Sequence, residues 1–194
     1  MSKREANPQV LEFLENRRSV LIKHLSEPGP NEEELNTILK IATRVPDHRK
    51  LEPWRLLVIR GEGRARLGKQ LAEIREEKHD LLQVQLDVET NCFKRAPLVI
   101  AVIVSPEEGK TPVEEQAASA AVVCQHINLA AGALGYGSQW VTGWSCLDKD
   151  AQKMMGLSEH EWIAGYIYIG STTDQPADRA RPDLADKVTY IESK

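Results

Sequence analysis

The chain is poor in cysteine: Cys92, Cys124 and Cys146 are the only three among 194 residues, and no two stand close together. An odd, sparse set makes no disulfide framework and fits a reducing compartment. Histidine is scarce as well, five in all and scattered. Neither C-x-x-C nor H-E-x-x-H spacing occurs, so no metal site emerges. There is no G-x-S-x-G elbow, and no cysteine carries a local signature of a Cys–His nucleophile. Long apolar runs are missing too. The richest stretch, Leu98 to Val104, falls far short of the ~20 residues that span a bilayer. The start, Met1-Ser2-Lys3-Arg4-Glu5, leads into no uninterrupted apolar segment and reads as no secretion signal. Nor is there a surplus of positive charge: 25 Lys and Arg stand against 29 Asp and Glu, a net −4. That balance argues against a protein that binds nucleic acid by neutralising phosphates. These absences set the expectation of a cytoplasmic protein with no membrane and no nucleic-acid partner.

What is present suits one globular domain over residues 1–194, with 41% apolar and 28% charged residues. Asn7-Pro8 reads as a helix start, a capping Asn followed by Pro at the first helical position. Val10, Leu11, Phe13 and Leu14 continue that helix toward Arg17-Arg18-Ser19. Asn31 and Glu34 form a capping box for a second helix, whose apolar face is Leu35, Ile38, Leu39 and Ala42. Arg55 to Ile59 is apolar enough for a buried strand. Gly61-Glu62-Gly63 reads as a turn, and Arg64 to about Val88 as one or two charged amphipathic helices. Leu98 to Val104 is apolar throughout and is predicted to be central in a sheet. A helix rich in small residues follows, from about Val113 to Leu134, with Cys124 and His126 read as packing. Gly132-Ala133-Leu134-Gly135-Tyr136-Gly137 imitates a phosphate loop, but its glycines close a helix and open a strand, so Gly135 reads as a helix cap. Asp148 is expected to cap a short helix ending at Gly156, and Trp162 to Gly170 to form another strand. Val188-Thr189-Tyr190-Ile191 has the composition of an edge strand.

Three stretches hold residues that a core does not need. Arg17, Arg18 and Ser19 sit at a helix exit, where guanidinium forks and a hydroxyl match an anion, although cations also suit a solvated helix end. The segment Ala42 to Trp54 carries Arg44, Asp47 and His48 with two prolines between an apolar helix and an apolar strand, in a rigid polar loop. Its bland reading is a turn in which Asp47 and His48 satisfy backbone groups. Trp140, Val141 and Thr142 lead a strand into a loop, and Trp140 with Trp144 suggests either a flat aromatic pocket or ordinary packing.

Taken in order, these features resemble the nitroreductase family of flavin enzymes, and within it a small branch of NAD(P)H nitroreductases. The resemblance is carried by Asn16-Arg17-Arg18-Ser19, by Ala42-Thr43-Arg44-Val45-Pro46-Asp47-His48 with Pro53-Trp54, and by Arg95-Ala96-Pro97 before the central strand. It continues through Leu134-Gly135-Tyr136-Gly137 with Trp140, and through Gly165 to Gly170 before Arg181-Pro182-Asp183. It implies an α+β fold with a small, mainly antiparallel sheet sheathed by helices, in an intertwined homodimer. It implies FMN at the subunit interface. Arg17, Arg18 and Ser19 would hold the phosphate and ribityl chain, completed by Arg179 or Arg181. Arg44 and His48 would reach the flavin from the partner subunit, and Trp140, Val141 and Thr142 would line it. The segment Ala130 to Gly135 would accommodate the nicotinamide nucleotide. The implied activity is hydride transfer from NADH or NADPH through the flavin to a small-molecule electron acceptor, such as a nitroaromatic or quinone-like compound, in ping-pong fashion. A flavin store or sensor, or a same-fold flavin enzyme with a specialised reaction, stays open beside it. Leu21 stands where many family members carry a lysine near flavin N1.

Overall fold

The computed structural model describes residues 5–109 and 111–192. The first residues of the stretch read as lacking a secretion signal, Met1 to Arg4, lie outside it, as do Ser193 and Lys194. Four strands form one antiparallel sheet in the order β1-β2-β4-β3. They are β1 (Trp54–Arg60), β2 (Leu98–Val104), β3 (Gly137–Val141) and β4 (Trp162–Gly170). Every residue of β2 is buried, as a near-continuous apolar run covered on both faces must be. The strand's two-residue period divides it between two cores. Val99, Ala101 and Ile103 join Phe93, Leu71, Tyr166 and Tyr168 on one face. Leu98, Ile100, Val102 and Val104 join Ile38, Val123, Ile127 and Ile169 on the other.

Five of the six α-helices among the described residues supply the covers. The second core is closed by α2 (Glu32–Ala42) and α5 (Val113–Ala133), which pack on each other as well as on the sheet. The first lies under α3 (Glu62–Lys78) and α6 (Lys149–Met154), with α4 (Gln83–Thr90) leaning on α3. The remaining helix, α1 (Pro8–Asn16), has no buried residue. No helix is long and apolar enough to cross a membrane among the described residues.

Local sequence signals account for most helix ends. Asn7 Oδ1 accepts from the Val10 N–H, and Pro8 occupies the first turn of α1. The α2 capping box is complete: Asn31 Oδ1 takes the Glu34 N–H at 3.0 Å and Glu34 returns to the Asn31 N–H at 2.9 Å. At the end of α5 the Tyr136 N–H reaches Ala131 O and the Gly135 N–H reaches Gly132 O, with Gly135 at φ +86°. That is a Schellman closure, so the glycine series there is a helix exit. Gly61-Glu62-Gly63 differs from its predicted turn: α3 already begins at Glu62, and Gly61 alone turns the chain at φ +53°. Val188 to Ile191 forms no strand and lies exposed after a 3-10 turn at Leu184–Asp186.

Candidate functional site

The chain leaves α1 and runs beside the edge strand β3. The Val20 N–H bonds to Ser138 O at 3.0 Å, and the Ile22 N–H to Gln139 Oε1 at 2.8 Å. This docking fixes the backbone on which Arg17, Arg18 and Ser19 stand. A two-residue bridge between Ser26 and Ser171 then holds the start of the C-terminal tail. The tail folds back over the helix exit. The Arg18 guanidinium donates to Ala177 O. Arg181 donates to Glu15 O at 2.5 Å and to Asp178 Oδ1 at 2.7 Å. Asp178 feels Arg181 strongly, and with the Arg179 N–H this holds its carboxyl below the usual carboxylate range.

Between helix exit and tail lies a cavity of about 690 Å³ lined by Arg17, Arg18, Ser19, Arg179 and Arg181, together with Leu14, Glu15 and Pro182. Residues 160 apart in sequence thus converge on one concave, cationic surface. Asp178 and the Ala177 and Glu15 carbonyls, which aim the arginines, gave no sequence signal, because only the fold of the tail brings them there.

The other expected residues stand elsewhere on the protomer. Arg44 and His48 are exposed in the loop between α2 and β1, and neither lines the arginine cavity. Asp47 does satisfy backbone groups there: its carboxylate accepts from the Leu51 N–H at 3.2 Å and the Glu52 N–H at 2.8 Å. His48 does not. Its Nδ1 lies 2.8 Å from Glu115 Oε2, at the start of α5. Sequence reading missed Glu115, which lies 67 positions away in a run of ordinary helix-start acids.

Trp140, Val141 and Thr142 end β3. Val141 and Thr142 border a second cavity of about 290 Å³, with Glu89, Cys92, Trp144 and Tyr168 in its wall. Trp144 lines this second cavity and Trp140 does not. Trp144 packs with the first core and donates to Glu89 at 2.9 Å, with Arg75 over its ring. Trp140, one residue before inward-facing Val141, projects to the opposite sheet face and donates to Ala164 O.

The three cysteines are held as thiols. Burial pushes the thiols of Cys92 and Cys124 up to about 12 and raises that of Cys146, so none offers a thiolate at neutral pH. Cys124 is packing, as expected, and His126 Nδ1 lies 3.3 Å from Ile41 O. No group of three or more His, Cys, Asp or Glu could hold a metal among these residues.

A four-stranded antiparallel sheet between two helical layers, with an arginine-lined cavity at its edge, is an α+β arrangement. The family model described as "Nitroreductase family" matches residues 14–171, and the chain belongs to that family. It is 35% identical over 185 residues to the Escherichia coli K12 protein named "Putative NAD(P)H nitroreductase YdjA", covering 93% of this chain and 98% of that one. It is 32% identical over 172 residues to a Haemophilus influenzae protein named "Putative NAD(P)H nitroreductase", covering 87% and 93%. Among solved structures, a nitroreductase-like protein from Bacillus cereus superposes with a TM-score of 0.82 over the full length of both chains at 24% identity. A nitroreductase from Desulfovibrio desulfuricans, solved in complex with FMN, superposes with a TM-score of 0.73 at 20% identity, covering 98% of this chain and 100% of that one.

Proposed function

We propose that the chain is an FMN-dependent oxidoreductase that moves reducing equivalents from NADH or NADPH to a small electron acceptor, built as a single flavin-binding domain that works as a homodimer. The observation that carries this reading is the cavity between the exit of α1 and the tail. Arg17, Arg18, Arg179 and Arg181 line it, with Ser19 beside them. A phosphate dianion needs several charge-assisted hydrogen bonds, each contributing roughly 1.5–3 kcal/mol. The donor set fits that requirement in number and chemistry. The names of the relatives, and the flavin in the Desulfovibrio structure, agree with it.

When bound, FMN supplies the hydride chemistry at its N5 atom. The protein's part is to bind and orient. Arg17, Arg18 and Ser19 hold the phosphate and the start of the ribityl chain, and Arg179 and Arg181 close the clamp from the tail. Val141 and Thr142, with Trp140 before them, border the ring system from the end of β3. Arg44 and His48 lie outside the cavity of their own chain and serve the site of the partner subunit. The exposed apolar residues Val10, Leu11 and Leu14 on α1, each about half accessible, support an interface there. Donor and acceptor would then use the same flavin face in turn. The segment Ala130 to Gly135 lies beside Arg17 and Arg18, because Gly132 and Gly135 line a shallow cavity with them. That adjacency supports its assignment to the nicotinamide nucleotide.

The test is a visible spectrum of the purified protein, loaded with FMN and freed of excess, before and after anaerobic NADH and then NADPH. A retained flavin band that bleaches supports the reductase and identifies the donor. A band that persists makes the protein a flavin store, sensor or specialised enzyme. Absence of retained flavin overturns the reading.

A further inference from the structure

We propose that Glu115 is a positioning residue that fixes the ring orientation and tautomer of His48, so that Nε2 rather than Nδ1 faces the cofactor. The proposal rests on the reading that His48 reaches the flavin of the partner subunit. Glu115 Oε2 lies 2.8 Å from His48 Nδ1. A carboxylate only accepts hydrogen bonds. Nδ1 therefore carries a proton whether the ring is neutral or charged, and the pair sets the tautomer. The side chain is about half exposed, and Nε2 makes no hydrogen bond among the described residues. In the neutral ring it accepts; in the charged ring it donates. The opposite tautomer would offer a donor in both states.

The surrounding loop leaves little other freedom. Ser119, four residues after Glu115 and on the same helix face, donates to Pro46 O at 2.8 Å. Glu115 and Ser119 thus form a strip on α5 against which Pro46 to His48 is laid. Beyond His48, Arg49, Lys50 and Glu52 hold left-handed backbone at φ +69°, +56° and +50°, a conformation costly for residues with a Cβ. The Asp47 carboxylate, accepting from the Leu51 and Glu52 N–H groups, locks it. With the backbone fixed on both sides, the side-chain torsions of His48 are what remain, and its contact with Glu115, between two half-exposed side chains, is what restrains them.

The first experiment is nitrogen-15 NMR of the His48 imidazole in the flavin-free protein. The expected wild-type result is a proton on Nδ1. Glu115→Ala should mix the tautomers, while Glu115→Gln, whose amide oxygen still accepts, should preserve Nδ1–H. A wild-type ring protonated on Nε2 alone would overturn the proposal. The second is FMN affinity by fluorescence titration. Glu115→Ala should weaken binding roughly tenfold with an unchanged melting temperature, and the loss should vanish in a His48→Ala background. Equal losses in both backgrounds would also overturn it. If the wild-type protein binds no FMN, the proposed function fails, and the tautomer alone decides whether Glu115 governs His48.

Discussion

Arg181 donates to the carbonyl of Glu15 at 2.5 Å, linking the C-terminal tail to the last turn of α1 across 166 positions. The contact makes one wall of the arginine cavity from residues that no local pattern joins. It also gives Arg181 two tasks, tying the tail down and lining the cavity, where the proposed function has it face the phosphate.

Those two tasks separate on mutation. Arg17→Ala removes one donor and should weaken FMN binding about tenfold or more, the worth of one charge-assisted bond. Arg181→Ala should cost at least as much and also expose the tail to limited proteolysis. Isothermal titration with FMN and a timed protease digest measure the two effects. Unchanged affinity in Arg17→Ala would take that residue out of the phosphate site.

Binding should also require two chains. Arg44 and His48 do not line the cavity of their own protomer, so placing a charge on the exposed apolar face of α1, for example Leu11→Glu, should yield a monomer that loses most of its FMN. Sedimentation coupled to flavin absorbance reads both quantities. A monomer that keeps its flavin would contradict the shared site.

Glu161 offers a pH-dependent test away from the site. It is buried, accepts from Arg55 Nε at 2.7 Å and Nη2 at 2.8 Å, and takes the Ser158 N–H at 2.9 Å. Arg55 above all holds its carboxyl far below the usual carboxylate range, and burial opposes this only in part. A folded-state pKa below the unfolded value of about 4.3 adds stability above that value and loses it as pH falls toward the folded one. Glu161→Gln should therefore be destabilised by about 2–3 kcal/mol at neutral pH. The gap to wild type should narrow steadily below about pH 4. Urea unfolding of both proteins across that range measures it, and a constant gap would refute the assignment.

Gly165 answers to packing. A Cβ there would lie 2.0 Å from Trp140 Nε1 and 3.1 Å from Val141 O. Gly165 also has a φ of +157°, which residues with a side chain rarely adopt, so Gly165→Ala should lose about 1–3 kcal/mol through overpacking and backbone strain together. The double variant with Trp140→Ala should recover part of the loss, because the indole supplies the nearest atoms. Thermal melts of the single and double variants decide this.

The amino-acid sequence by itself determined the elements, because their signals are local. The Asn7 and Asn31 caps, the Gly135 exit and the unbroken apolar run of β2 are short-range consequences of side-chain chemistry and backbone freedom. It also named the arginines at both ends of the chain that line one cavity, through the order of family motifs. Only the tertiary structure decided which residues meet. Glu115 joins His48, Asp178 and Glu15 aim Arg181, and Trp140 and Trp144 part to opposite faces, because sheet order and the path of the tail set those distances. Such contacts depend on the packing of several elements at once, and an exposed glutamate at a helix start looks the same in sequence whether it meets water or a histidine.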